Sequence, residues 1–192
     1  MYAPEATMLF ASRLTENAEL RALEPWQAAE FLAHIDKARA NIEQYIPWAE
    51  LVTDLDGAQT FLQRYADRQA AGEGRIYGIW LDGELAGGLL FRTFEPAWGS
   101  CEIGVWISAE GQGHGLITRS TRQLIDYAIG VRGMNRVEWR CVPSNERSIA
   151  VAKRLGMTYE GTLREAFPYR GERHDLQVWA MLHNEWESRH WA

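Results

Sequence analysis

Residues 100–119, SCEIGVWISAEGQGHGLITR, decide the fold. They open as an apolar run, break at Ser108, place glycines at 111, 113 and 115, and then turn amphipathic, which reads as strand, loop and helix. Glycines at alternate positions let backbone N–H groups approach a ligand that side chains would otherwise keep away. A helix that starts directly after such a loop aims its free amides and its positive dipole end at an anion. On the strand, Cys101, Ile103, Val105 and Ile107 alternate to one face and Glu102, Gly104, Trp106 and Ser108 to the other. The first face is expected to be core. Glu102 is then expected on the opposite face, beside a glycine that leaves room and a tryptophan that excludes water. Such a setting raises a carboxyl pKa and makes Glu102 the candidate general base, with Glu95 and Glu73 in reserve.

Two phosphate-binding patterns are excluded. The loop lacks the Lys-Ser or Lys-Thr of a G-x-x-x-x-G-K-[ST] motif. It is also a poor dinucleotide fingerprint: Gly111, Gly113 and Gly115 give G-x-G-x-G, and Thr118 stands where a third such glycine would fall.

Working outward, residues 7–14 read as a first strand. Residues 25–46 carry Pro25 at a helix start and apolar residues Phe31, Leu32, Ile35 and Ile42 at helical spacing. Residues 56–72 read as a second helix closed by Gly72, and residues 75–94 as a hairpin turning at Asp82-Gly83. After the glycine loop come a helix from about 113 to 131, a strand RVEWRCV, a helix SNERSIAVAKRLG ending at Gly156, and two late strands, TYEGTLREAF and HDLQVWAML. The order βααβββαβαββ is that of a mixed α/β domain. Most of the nine tryptophans are expected in core or pocket walls.

The totals narrow the function. The 192 residues fit one domain over 1–192. A net charge of −6 argues against broad nucleic-acid binding and is compatible with an amine substrate. No apolar run approaches the length of a membrane span, and the two cysteines, Cys101 and Cys141, fit a reducing cytoplasm. No Cys/His set has zinc spacing, so no metal is expected. Cys141 has no adjacent base, and His174-Asp175 reads as strand structure or pocket wall.

The loop and its flanks resemble the pyrophosphate-binding motif of the GNAT superfamily of N-acetyltransferases, [Q/R]-x-x-G-x-[G/A], which falls here on residues 110–115. Glu110 departs from the usual Gln or Arg, so its side chain is given no cofactor role. Thirty residues on, CVPSNERSIAVAKRLGMTYEG resembles the superfamily's second motif, with Asn145 opening the helix and Met157 in place of the usual Phe. Many members carry a Tyr four residues before the closing Gly, where it protonates the departing thiolate. Ala152 stands there in this chain, which leaves Ser148, one turn after Asn145, as the nearest acid. This arrangement is similar to the RimL/RimJ-like ribosomal-protein N-terminal acetyltransferases. IDKARANIEQYIPWAE and GTLREAFPYRGERHDLQVWAMLHNEW extend the likeness over nearly the whole chain.

The resemblance implies a mostly antiparallel twisted sheet flanked by helices, with acyl-coenzyme A in a cleft between two splayed parallel strands. It implies direct acetyl transfer from acetyl-coenzyme A to an amine, either the α-amino group of a protein or peptide or a small-molecule amine. Trp106, Ile107 and Ser108 at the strand end, Gln112, Gly113, His114, Gly115, Leu116 and Ile117 in the loop and helix start, and Asn145 would hold the coenzyme. Glu102 and Ser148 would be catalytic, and Trp26, Trp48 and Tyr169 would wall the acceptor cleft, with Phe167 and Tyr45 nearby. A homodimer is expected on resemblance alone. A non-catalytic acyl-coenzyme A-binding domain is the competing reading.

Overall fold

The structure, a computed structural model, describes residues 11–188. The elements follow one another as β1 Ala11–Arg13, β2 Ala18–Ala22, α1 Ala28–Ile42, α2 Leu55–Ala70, β3 Ile76–Leu81, β4 Glu84–Glu95, β5 Ser100–Ile107, α3 Leu116–Asp126, β6 Arg136–Cys141, α4 Glu146–Arg154, β7 Thr158–Tyr169, β8 Glu172–Leu182 and α5 His183–Glu187. The strands form one sheet in the order β1-β2-β3-β4-β5-β6-β8-β7, and every pairing is antiparallel except β5 with β6. The expected fold class is thus the one observed.

Local signals set the boundaries. Asp54 caps α2 by accepting the Gly57 N–H at 2.8 Å, and Gly72 stops the chain just beyond its end at φ 77°. Asp82 and Gly83 both take positive φ, 52° and 84°, the tight turn that matches strand twist. Asn145 caps α4 by accepting the Ser148 N–H at 3.1 Å.

Three expectations need correction. The first strand begins, among the described residues, at Ala11, with 7–10 lying outside them; β2 follows it unforeseen, pairing with both β1 and β3. The helix expected from 113 starts only at Leu116, because Gly113 and Gly115 adopt the left-handed φ values 83° and 69°, and it ends in a wider π turn at Tyr127–Val131. The third concerns the core. Helices cover both faces of the sheet, so there are two apolar layers. Phe91, Ile103, Leu124, Ile125 and Trp139 pack on the α3/α4 side, and Phe31, Ile35, Leu62, Trp80 and Trp106 pack on the α1/α2 side. The face of β5 that carries Glu102 and Trp106 is therefore as buried as the other. Most described tryptophans lie in the core or the cleft wall as expected, and Trp26 and Trp98 are the exceptions, on the surface at 80% and 84% exposure.

Candidate active site

β5 and β6 pair only at Ser100↔Arg136, Cys101↔Val137 and Glu102↔Glu138. Beyond that point β5 stays with β4 as far as Ile107, and β6 stays with β8 as far as Cys141. The two strands therefore part. The edges of Ile103–Ile107 and Trp139–Cys141 face a cleft of about 1010 Å³. Gln112 and Ile117 border it on one side, and Asn145, Arg147 and Ser148 on the other. Asn41, Tyr45 and Trp48 close it from α1 and the turn that follows, and Phe167 and Leu176 from the β7–β8 hairpin.

The glycine loop forms one end of this cleft. Ser108 organises it from beneath: its N–H donates to the Ala86 carbonyl at 2.8 Å and its hydroxyl accepts the Gly111 N–H at 3.4 Å. Gly111 is packed tightly, and a Cβ there would lie 2.8 Å from Ile107 and 3.3 Å from Ala86. Gly113 is the opposite case, with nothing within 4 Å of its Cβ position. The first rung of α3 is the Arg119 N–H to the Gly115 carbonyl at 3.1 Å. The N–H groups of Leu116, Ile117 and Thr118 before it have no intrahelical acceptor. Arg147 adds a cation beside them, donating to Gln112 Oε1 at 2.6 Å. Glycines, free amides, dipole and guanidinium suit a pyrophosphate.

Across the cleft, Trp139 donates from Nε1 to Ser148 Oγ at 2.9 Å, which fixes the serine's oxygen at the cleft wall. Cys141 lies beneath, its thiol pushed up by burial despite a hydrogen bond with Ser148. On the opposite wall, Trp106 donates to His34 Nε2 at 3.2 Å and meets Trp48 edge-on at 5.3 Å. Burial lowers His34 to about 4, so it stays neutral and keeps that nitrogen an acceptor. Asn41 donates to the Ile107 carbonyl at 2.9 Å, and Tyr45 reaches over the cleft to the Ser144 carbonyl at 3.4 Å.

The structure thus brings Ser148, Asn145, Trp106, Ile107, Gln112, Ile117 and Trp48 to one cleft, and leaves Gly113, His114 and Gly115 exposed in the loop between Gln112 and Ile117. Five other candidates lie elsewhere. Leu116 turns its side chain into the α3/α4 core, so only its N–H belongs to the loop. Ser108 is buried as a loop brace. Trp26 stands in the turn before α1, off the cleft wall and in solvent. Tyr169 is buried with its hydroxyl donating to the Glu43 carbonyl and in contact with Glu50, and so ties the hairpin to the end of α1. Glu102 sits behind the wall. Its Oε1 lies 3.3 Å from Arg92 and its Oε2 3.8 Å from Arg140, and those arginines, not the carboxylate, line the cleft. Burial holds its pKa above the ordinary carboxylate range, against the pull of both guanidiniums.

Sequence reasoning missed Arg92, Arg140, Arg147 and Asn41. One signal was present: Arg136, Glu138 and Arg140 alternate along RVEWRCV, charges on one face of an interior strand. Charged groups are rarely placed there unless paired.

A model of the family described as acetyltransferase (GNAT) domain matches residues 17–158. YdaF of Bacillus subtilis, provisionally named a ribosomal N-acetyltransferase, is 31% identical over 180 residues, 93% of this chain and 98% of YdaF. The ribosomal-protein-serine acetyltransferase of Escherichia coli is 25% identical over 170 residues, covering 88% of this chain and 95% of its own. The solved structure of RimL, a ribosomal L7/L12 alpha-N-protein acetyltransferase in complex with coenzyme A, superposes with a TM-score of 0.85 at 27% identity. It covers 91% of this chain and 99% of its own.

Proposed function

The chain belongs to the GNAT acetyltransferase family, and on that premise we propose that it transfers an acetyl group from acetyl-coenzyme A to the α-amino group of a protein or peptide. The observation that carries the reading is the parting of β5 and β6 after Glu102↔Glu138, because it opens one continuous groove from the glycine loop to Ser148. The full-length likeness to YdaF and RimL supports the choice of acceptor.

The residues present fit the coenzyme. The N–H groups at Gly113–Ile117, with Arg147, would hold the pyrophosphate. Asn145 and the free edge of β5 would hold the pantetheine arm, and Ile117 and Trp106 would wall it. When bound, the thioester supplies an activated acyl carbon, and the chain does the rest. N–H groups on the open edge of β5 stabilise negative charge on the acyl oxygen, since no neighbouring strand claims them there. Ser148 is assigned as the acid that protonates the leaving sulfur, with Trp139 fixing its oxygen and water, which takes the amine's proton, returning one to the serine.

The acceptor must be neutral to attack. An α-amino group titrates near 8, so a substantial fraction is already neutral at neutral pH and the proton it sheds passes to water. Glu102, screened from the cleft by Arg92 and Arg140, is a positioning residue in this scheme and not the base. Thiol release from acetyl-coenzyme A, measured with Ser- and Ala-starting peptides beside a panel of small amines, tests the reading. Turnover confined to small amines would move the acceptor to that class. Coenzyme binding without turnover on any amine would sink the catalytic assignment.

A further inference from the structure

The base of the cleft carries an unusual run of charge. Arg92 Nη1 lies 3.3 Å from Glu102 Oε1, and Arg140 Nε lies 3.8 Å from Glu102 Oε2. Arg140 also donates to Glu138 Oε2 at 2.7 Å, Arg136 donates to Glu138 Oε1 at 2.7 Å, and Arg136 donates to Glu160 Oε1 at 2.7 Å. Three arginines and three glutamates thus alternate from β4 through β5 and β6 to β7. The charges cancel along the run, but its two ends differ: Glu160 ends it on the outer edge of the sheet, and Arg92 ends it in the cleft.

Arg92 is also the least satisfied member. Among the described residues its guanidinium makes no hydrogen bond. Its ion pair with Glu102 lacks hydrogen-bond geometry and leaves Glu102 Oε1 buried without a hydrogen-bond donor. Half of the Arg92 side chain is exposed, to the cleft. Its position is built. The stem crosses Gly104, where a Cβ would lie 3.0 Å from Cγ and 3.1 Å from Cδ of Arg92, so a side chain there would push the arginine off its path across the floor of the gap. The other acids of the wall do not answer it: Glu50 is held by Arg170 at 2.9 Å, and Glu146 stands on the first turn of α4.

Given the acceptor reading above, on which this rests, we propose that Arg92, backed by Arg140 and placed by Gly104, is a carboxylate-binding subsite, and that the acceptor carries a carboxylate close to its amine. That carboxylate belongs either to an Asp or Glu side chain in the first residues of a peptide or to the free α-carboxylate of an amino acid or dipeptide. A guanidinium fork with an open face pairs with a carboxylate through two parallel charge-assisted hydrogen bonds. A polyamine or an aminoglycoside, which would bring more positive charge beside Arg92 and Arg140, is disfavoured by the same geometry.

The test uses C-terminally amidated peptides in Asp/Asn pairs at positions one, two and three, together with free Ser-Ala and its amide. The pairs read a side-chain carboxylate, and the dipeptide reads an α-carboxylate. We expect about a tenfold or greater preference in kcat/KM for one acidic member, reduced to within about twofold in Arg92→Gln and only partly reduced in Arg92→Lys, which keeps charge but not the fork. A second readout needs no turnover: binding of the N-acetylated acidic and neutral products, followed by indole fluorescence, in wild type and Arg92→Gln. Pairs within twofold of each other in both readouts, or a preference that survives Arg92→Gln, would overturn the subsite. Acidic products that bind through Arg92 when no peptide or amine is acetylated would support the subsite and count against the transferase reading, so the two fail separately.

Discussion

Two glycines two positions apart in one loop should respond to the same substitution in opposite ways. In Gly111→Ala the new methyl meets the Ile107 side chain at 2.8 Å and the Ala86 Cβ at 3.3 Å, so Ile107 must leave its rotamer or the loop must lift off β4. Overpacking of this kind costs about 1–3 kcal/mol. For a chain this long, that lowers Tm by roughly 2–12 °C. Gly113→Ala meets nothing within 4 Å, but Gly113 sits at φ 83°. Holding an alanine in the left-handed region costs about 1–2 kcal/mol. The loop at Gly113 is exposed, so the free protein can relax away from that conformation. The cost then falls on the bound state, where N–H groups must converge on phosphates. One to two kcal/mol corresponds to roughly a 5- to 30-fold loss in coenzyme affinity. Calorimetric titration with coenzyme A, beside thermal melts of both variants, separates the cases. We expect Gly113→Ala to melt near wild type and bind weakly, and Gly111→Ala to melt early while the folded fraction binds within a few-fold of wild type. If Gly113→Ala bound coenzyme A as wild type does, the loop would not be the phosphate cradle.

Ser148→Ala is expected to lower kcat by about a hundredfold or more with little change in KM for acetyl-coenzyme A. It should also lose about 1–3 kcal/mol of stability, because the buried Trp139 N–H loses its acceptor; a normal kcat with lowered stability would assign Ser148 to structure alone. Glu102→Gln should leave intact the rise of activity with pH through the acceptor amine's pKa near 8, because Arg92 and Arg140 stand between that carboxylate and the cleft; a rise that flattens in this variant would return it to the role of base. His34 is neutral in the fold and titrates at about 4 instead of 6.5. The unfolded chain takes up a proton first as pH falls, so wild type loses up to about 3 kcal/mol between pH 6.5 and 4 from this site. In His34→Gln, which keeps an acceptor for Trp106, urea midpoints should fall less steeply over that window, and an unchanged slope would refute the assignment.

The parts of the site legible in the sequence are those that a short segment specifies alone. Gly111, Gly113 and Gly115 announce positive φ or close approach by lacking a side chain, and Asn145 with Ser148 announces a cap. The hairpin at Asp82-Gly83 is legible for the same reason. The missed strand β2 has no such mark. AELRA is short, and only its register against β3 and β1 makes it a strand. Trp26 shows the converse failure: an apolar residue at a helix start resembles a pocket wall until its neighbours are known.

Glu102 shows why alternation along one strand cannot by itself choose a catalytic carboxylate. The pattern placed Glu102, Gly104 and Trp106 on one face correctly, but left two things open: what lies over that face, and which side chains stand between it and solvent. α1 and α2 cover it, so the face is core around Trp106. Arg92 and Arg140 come from β4 and β6, strands on either side in the sheet, so they occupy the gap beside Glu102 before a substrate can. Gly104 then acquires a meaning the sequence alone did not carry. It leaves room for an arginine to cross and not for a carboxylate to turn, so the charged group of β4 and β5 that lines the cleft is a cation and not a buried acid, and the proposed subsite follows from that.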